Sequence, residues 1–242
     1  MFGHRIATGK RRGDEAEKPF WISFSDLMSA LMVLFLVVMT VALLSVTQAL
    51  RDAQKAAAER QKDISEIMER LADKARKFPQ VNVSEERMTI DFGKVGQFTS
   101  GSDALSSEAI DQLRAFVPQV LEEARTELGR KWFKRVIVEG FTDTDGSYLF
   151  NLDLSLRRAE RVVCTLLTPG TAGGPSLVDT DMEQVRRLFM VGGFSFNSAK
   201  LSKDESRRVE LRLDFRAVSE NALPASAGKN LTTIEVGKCQ LR

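Results

Sequence analysis

From Leu27 to Leu50 the chain runs for 24 residues without a charged side chain, and the next 27, Arg51 to Lys77, carry 14 charges. As a helix the uncharged run measures roughly 36 Å, more than a hydrocarbon core of about 30 Å. It is too long for the apolar part of a usual signal peptide, and no small-x-small cleavage site follows it. The pattern predicts an uncleaved transmembrane helix over 20–47. Beyond it alanines at 49, 53 and 56–58 favour helix, and Ile64, Ile67, Met68 and Leu71 fall at the i, i+3, i+4, i+7 spacing of one apolar stripe. Pro79 ends this segment. A helical linker is expected over 48–79. Its stripe reads as a short seam pairing two copies of the chain; a solvated stalk is the plainer reading.

After residue 80 the apolar period alternates between two and 3.6. Met88, Ile90 and Phe92 alternate as a strand. Ser106 can cap a helix running to about Leu128, with Leu113, Phe116, Val117, Val120 and Leu121 on its apolar side. A strand over Arg135–Phe141 leads to a turn at Asp143–Gly146 and a helix to Leu167. A Gly/Pro-rich loop from Pro169 to Pro175 precedes a short helix near Asp181–Arg187 and a strand over Leu188–Gly192. Arg208–Phe215 closes the series. Residues 80–216 therefore predict one α+β domain with helices on one sheet face, between a 1–19 tail plus membrane helix and a 217–242 tail.

Composition adds exclusions. Lys plus Arg (35) nearly balance Asp plus Glu (33), which argues against nucleic acid as a partner. Two cysteines and one histidine among 242 residues leave neither a disulfide-dense scaffold nor a zinc cluster, and no metal or other cofactor is called for. With His4 in the N-terminal tail, no His-based triad is available to the domain, and an enzyme has little support. Asp143 and Asp145 could pair as acids but share one tight turn. If the domain lies outside the cytoplasm, an oxidising compartment permits a disulfide between Cys164 and Cys239. One buried thiol and one tail thiol is the alternative, and spacing does not choose. Positive-inside counting is close to a tie: five Lys/Arg in the first 20 residues against four in residues 47–66.

One carboxylate stands at the membrane helix. Phe20 and Trp21 read as an interfacial belt, and Asp26 lies five residues beyond Trp21. Ser25 and Ser29 form a small-xxx-small pair and Ala30 lies one turn above Asp26, a narrow stripe that lets helices approach closely. An Asp at headgroup level near a helix N-terminus is the plain reading; an ion or proton site is the functional one. DLMSALMVLFLVV resembles the transmembrane signature of MotB-like stator B subunits. That resemblance implies that Asp26 carries the ion, with Ser25, Ser29 and Ala30 as pathway neighbours, and places the N-terminus in the cytoplasm and the rest in the periplasm. It also offers the linker a role as a plug. The lead-in FWISFSD is most similar to the stator-like subunits of Zorya antiphage defence systems.

A second signature is denser. EGFTDTDGSYLFNLDLSLRRAERVV resembles the OmpA-like peptidoglycan-binding pattern, matching at Gly140, Thr142, Asp143, Gly146, Asn151, Leu154, Ser155, Arg158, Ala159 and Val162. SRRVELRL resembles that family's closing strand, with Ser206 where Asn is usual; Phe141 stands where the family often has His. The resemblance implies an OmpA-like α/β sandwich in which Asp143 and Arg158 hold diaminopimelate, with Thr142 and Asn151 beside them. The chemistry fits: that side chain ends in an ammonium and a carboxylate on one carbon, and a guanidinium can grip the carboxylate bidentately. Without the motif, Asp143 reads as a turn cap and Arg158 as half of an internal ion pair.

Together these readings imply a single-pass inner-membrane stator subunit driven by proton-motive force and anchored to peptidoglycan. Two copies would stand inside a ring of multi-span A-type subunits, with H⁺ or Na⁺ as the transported ion. A flagellar stator B subunit and a passive envelope tether without ion flux are the alternatives; a tether leaves Asp26 and its serine stripe without a purpose.

Overall fold

The computed structural model describes residues 17–169, 175–220, 237 and 239. The first sixteen residues with His4, the centre of the Gly/Pro-rich loop, most of the 217–242 tail and the Phe20 side chain lie outside that description. The chain divides into two compact units at Ala56/Ala57.

The first unit consists of helix α1, which spans Glu17–Ala75 and continues into the second. Among the described residues it is the one helix long and apolar enough to cross a membrane, with a mean hydropathy of 2.8 in its most apolar stretch. Three of its hydroxyls bond within the helix: Ser29 Oγ donates to Ser25 O at 2.8 Å, Thr40 Oγ1 to Leu36 O at 2.7 Å and Thr47 Oγ1 to Leu44 O at 2.9 Å. Such back-bonding removes the penalty a bare hydroxyl would carry in hydrocarbon.

In the second unit a five-stranded sheet runs in the order β1-β2-β5-β3-β4. Its strands are β1 (Asn82–Ser84), β2 (Thr89–Asp91), β3 (Phe133–Gly140), β4 (Phe189–Gly193) and β5 (Val209–Phe215). Only the β3–β4 pair is parallel; β5 lies antiparallel between β2 and β3. The helices are α2 (Ser107–Arg125), α3 (Glu127–Trp132), α4 (Tyr148–Leu167), α5 (Asp179–Leu188) and α6 (Lys203–Ser206). The fold is α+β with a mixed sheet, as the alternating periods imply.

Three differences from the sequence reading have local causes. Met88 takes a left-handed φ of 53° in the hairpin that brings β1 beside β2, so the strand expected from Met88 to Phe92 shrinks to Thr89–Asp91. The helix capped by Ser106 stops at Arg125 rather than Leu128, because Thr126 turns the chain: its Oγ1 donates to Glu123 O at 2.8 Å and accepts from Gly129 N at 3.0 Å. A Cβ at Gly129 would stand 2.1 Å from Glu123 O, so only glycine fits that corner.

The third is a correction to the linker. Ile64, Ile67, Met68 and Leu71 are all at most 1% exposed and belong to the domain's own core, with Val81, Ile90, Phe116, Val120 and Leu121. The stripe is therefore no seam for a second chain, and residues 57–75 belong to the compact domain rather than to a free linker. Side-chain bonds support the burial: Asp63 Oδ2 accepts from Trp132 Nε1 at 2.8 Å and pairs with Lys131 at 2.9 Å. These bonds hold the Asp63 carboxyl below its usual range.

Candidate functional site

The OmpA-like signature folds into the end of β3, a turn and the start of α4. Gly140 closes the strand against the helix: a Cβ there would stand 1.9 Å from Ser155 O. Asp143 Oδ1 accepts from the Asp145 amide at 3.1 Å, a side-chain turn that orders the loop. Gly146 follows with a φ of 95°, a region open to glycine at no steric cost. Ser147 caps α4 by accepting from Phe150 N at 3.3 Å, and Asn151 Nδ2 donates to Asp145 O at 2.8 Å. Ser155 Oγ accepts from Ser195 N at 3.0 Å, tying the segment after β4 to the same corner.

Inside this frame the charged groups converge. Arg158 has no exposed surface; it donates to Phe141 O at 2.7 Å, Ser102 O at 2.9 Å and Thr99 O at 3.2 Å, and its guanidinium lies 4.9 Å from the Phe98 ring centroid. Burial pushes its pKa down to about 10, against the pull of Asp143 and Asp103, so it is charged at neutral pH. Asp143 is also buried, and Arg207 Nη1 donates to its Oδ2 at 2.8 Å. Burial pushes the Asp143 carboxyl up, but the bonds from Arg207 and the Asp145 amide outweigh it and hold the carboxyl below its ordinary value. Arg207, raised chiefly by its bond to Asp143, also donates to Phe98 O at 3.0 Å and pairs with Asp204.

The sequence-predicted residues thus share one cluster, with a partner the sequence reading missed. Asp143 and Arg158 sit there; Asn151 shapes the loop; Thr142 is buried with its amide donating to Ser195 O at 2.9 Å and its Oγ1 without a hydrogen-bond partner among the described residues. Arg207 was visible only as part of SRRVELRL. Because β5 begins at Val209, Arg207 falls ahead of the strand and reaches Asp143 instead of entering the sheet. Arg208 stacks over Phe141 at 4.2 Å and binds Glu210 at 2.6 Å, so the ring in the family's histidine position has a packing role. Lys203 pairs with Asp145 at 2.7 Å on the rim.

Asp26 lies on the exposed surface of α1, lining a shallow hollow with Ser23, Phe24, Leu27 and Ala30. Ser25 and Ser29 are joined by the hydroxyl–carbonyl bond described above. Cys164, in α4, is disulfide-bonded to Cys239 with a Cα–Cα distance of 5.7 Å.

No family model matches the chain. Over 242 residues, all of this chain and 98% of the relative, it is 46% identical to the Zorya protein ZorB of Escherichia coli O139:H28 (strain E24377A / ETEC). Among solved structures it is similar to the cell wall anchor of the T6SS from Pseudomonas aeruginosa. That match has a TM-score of 0.40 and 19% identity, over 62% of this chain and 97% of the other. It is also similar to the periplasmic domain of Helicobacter pylori MotB (residues 97–256), with a TM-score of 0.37 and 14% identity, over 57% of this chain and 86% of the other.

Proposed function

The chain belongs to the family of the Zorya protein ZorB, and from that premise we propose that it is the ion-carrying B subunit of a stator-type motor in the bacterial inner membrane, serving antiphage defence. Two copies stand within a ring of multi-span A-type subunits. The N-terminus is cytoplasmic and the α+β domain periplasmic, holding peptidoglycan. Asp26 takes up H⁺ or Na⁺ on the periplasmic side and releases it to the cytoplasm. Each charge crossing is worth about 2.3 kcal/mol per 100 mV. Loss and return of the Asp26 charge biases two arrangements of the surrounding ring.

The observation that carries this reading is the carboxylate of Asp26 immediately before a 24-residue uncharged stretch of α1 in a chain of this family. An unpaired charge there costs a few kcal/mol unless a partner helix or water receives it, which makes ion handling the natural role.

At the wall, the diaminopimelate ammonium meets Asp143, whose oxygens each keep a free lone pair, and the carboxylate takes guanidinium N–H groups that Arg207 leaves uncommitted, with the charge of the buried Arg158 behind them. A domain that grips the wall gives the motor a fixed reference against which torque can act.

The test is Asp26→Asn in cells carrying the full defence locus. The variant should co-purify with its multi-span partner yet lose protection against phage. Protection at the level of the unaltered protein would leave a passive tether as the better account.

A further inference from the structure

The opposite end of β3 carries a second site. A cleft of about 500 Å³ opens where α2, α3 and α5 meet the first residue of that strand. Its floor includes Phe133 and Leu188, and four arginines line it: Arg125, Arg130, Arg187 and Arg216. Asp143 lies three residues beyond the other end of the eight-residue strand, about 25 Å away at strand rise, so the two sites are separate.

These guanidiniums are unequally committed. Arg125 is spent on Gln184 Oε1, at 2.6 Å, and on Asp181. Arg130 gives Nη1 to Arg125 O at 2.9 Å, and Arg216 gives Nη1 to Arg130 O at 3.1 Å. These bonds link the rim into a chain while leaving Nε and Nη2 of both residues unbonded among the described residues. Arg187 makes no ion pair or hydrogen bond among the described residues. Arg60 braces the rim by donating to Arg216 O at 2.6 Å. Glu183 is the one carboxylate lining the cleft, against four guanidiniums. A concave wall on which cations outnumber anions focuses a positive field on the opening.

We propose that this cleft binds a phosphate ester, its oxygens held by Arg130, Arg187 and Arg216 and its carbon substituent set against Phe133 and Leu188. A single carboxylate uses one fork of donors; three guanidiniums with N–H groups to spare around one hollow suit an anion with oxygens in several directions. The apolar floor separates such an ester from a bare inorganic ion. A soluble phosphate ester and an anionic phospholipid headgroup share this chemistry.

Trp132, in α3 beside Arg130, supplies the reporter, and Trp21→Phe removes the chain's other tryptophan. The full-length chain in phosphatidylcholine nanodiscs is titrated with glycerol phosphate, with sodium chloride at equal ionic strength as control. In a second arm phosphatidylglycerol replaces part of the phosphatidylcholine. A saturable Trp132 response in the first arm identifies a soluble ester, and a response confined to the second identifies a headgroup. In either arm Arg187→Gln should weaken binding about tenfold, the loss of one charge-assisted bond, and Arg130→Gln/Arg187→Gln should weaken it further. The Arg187 side chain makes no bond among the described residues, so its variant should keep the unaltered melting temperature. The proposal fails if neither arm differs from chloride, or if the double variant titrates like the unaltered chain.

Discussion

Arg207 reaches across 64 residues of sequence to donate to Asp143 at 2.8 Å, and both side chains are withdrawn from solvent. The pair, with Arg158 close enough to act on Asp143 electrostatically, gathers two cations around one carboxylate at the end of β3. Removing the carboxylate charge leaves those cations uncompensated. Asp143→Asn is expected to lower the unfolding free energy by about 3 kcal/mol, the scale for breaking a buried pair from one side. It should also abolish co-sedimentation with purified peptidoglycan. Urea denaturation measures the first effect; wall binding unchanged in a folded variant would remove Asp143 from the proposed grip.

Acid titration should separate two carboxylates with opposite shifts. Asp143 has a lowered folded pKa, so its stabilisation is full above the unfolded value, about 3.9, and is lost as pH falls through the lower folded value. Glu139 is raised, first by burial and also by Glu210, despite its 2.7 Å bond from Arg212. Its folded form holds the proton more tightly, so stability declines as pH rises from the ordinary glutamate value through the raised one. The two glutamates face each other in register across β3 and β5, where like charges repel. Urea midpoints from pH 3 to 7 should show Glu139→Gln flattening the upper part of the profile and Asp143→Asn the lowest part.

Gly140→Ala places a methyl group against a backbone carbonyl that cannot turn aside. Since α4 carries Arg158 and Asn151, a shift of that helix disturbs the site as well as the core. A loss of about 3 kcal/mol is expected, at the upper end for overpacking. A melting curve superposable on that of the unaltered protein would contradict the close approach.

Leu71→Ala should destabilise the domain by about 2–5 kcal/mol, since the side chain is fully buried in the core. A soluble fragment beginning at Ala57 should unfold cooperatively, and one beginning at Gln80 should not. Equal stability of the two fragments would return residues 57–75 to the status of a linker.

The element order was readable because each segment carries its own local cause. Ser106 and Ser147 cap where a polar residue precedes an apolar period, and Gly140 and Gly146 mark a close approach and a left-handed turn. The stripe at Ile64–Leu71 was equally visible, but periodicity says that a face is buried and not what buries it. The same limit hid Arg207, whose partner lies in another element and becomes its neighbour only through the antiparallel pairing of β3 with β5. Asp143 and Arg158 were found through their motif, which also holds the Phe141 carbonyl, while the Thr99 and Ser102 carbonyls around Arg158 come from a loop with no pattern of its own.

Phe141, stacked beneath Arg208, has a consequence for how the cluster meets a changing environment. An imidazole in that place would gain or lose charge in the middle of the physiological range. Here the cluster consists of a carboxyl held below its ordinary value, one guanidinium near 10 and another raised. None of the three changes charge between mildly acid and mildly alkaline surroundings, so a change of pH over that range leaves their combined charge constant. Whatever the cluster holds, it holds with the same charge as the outside acidifies.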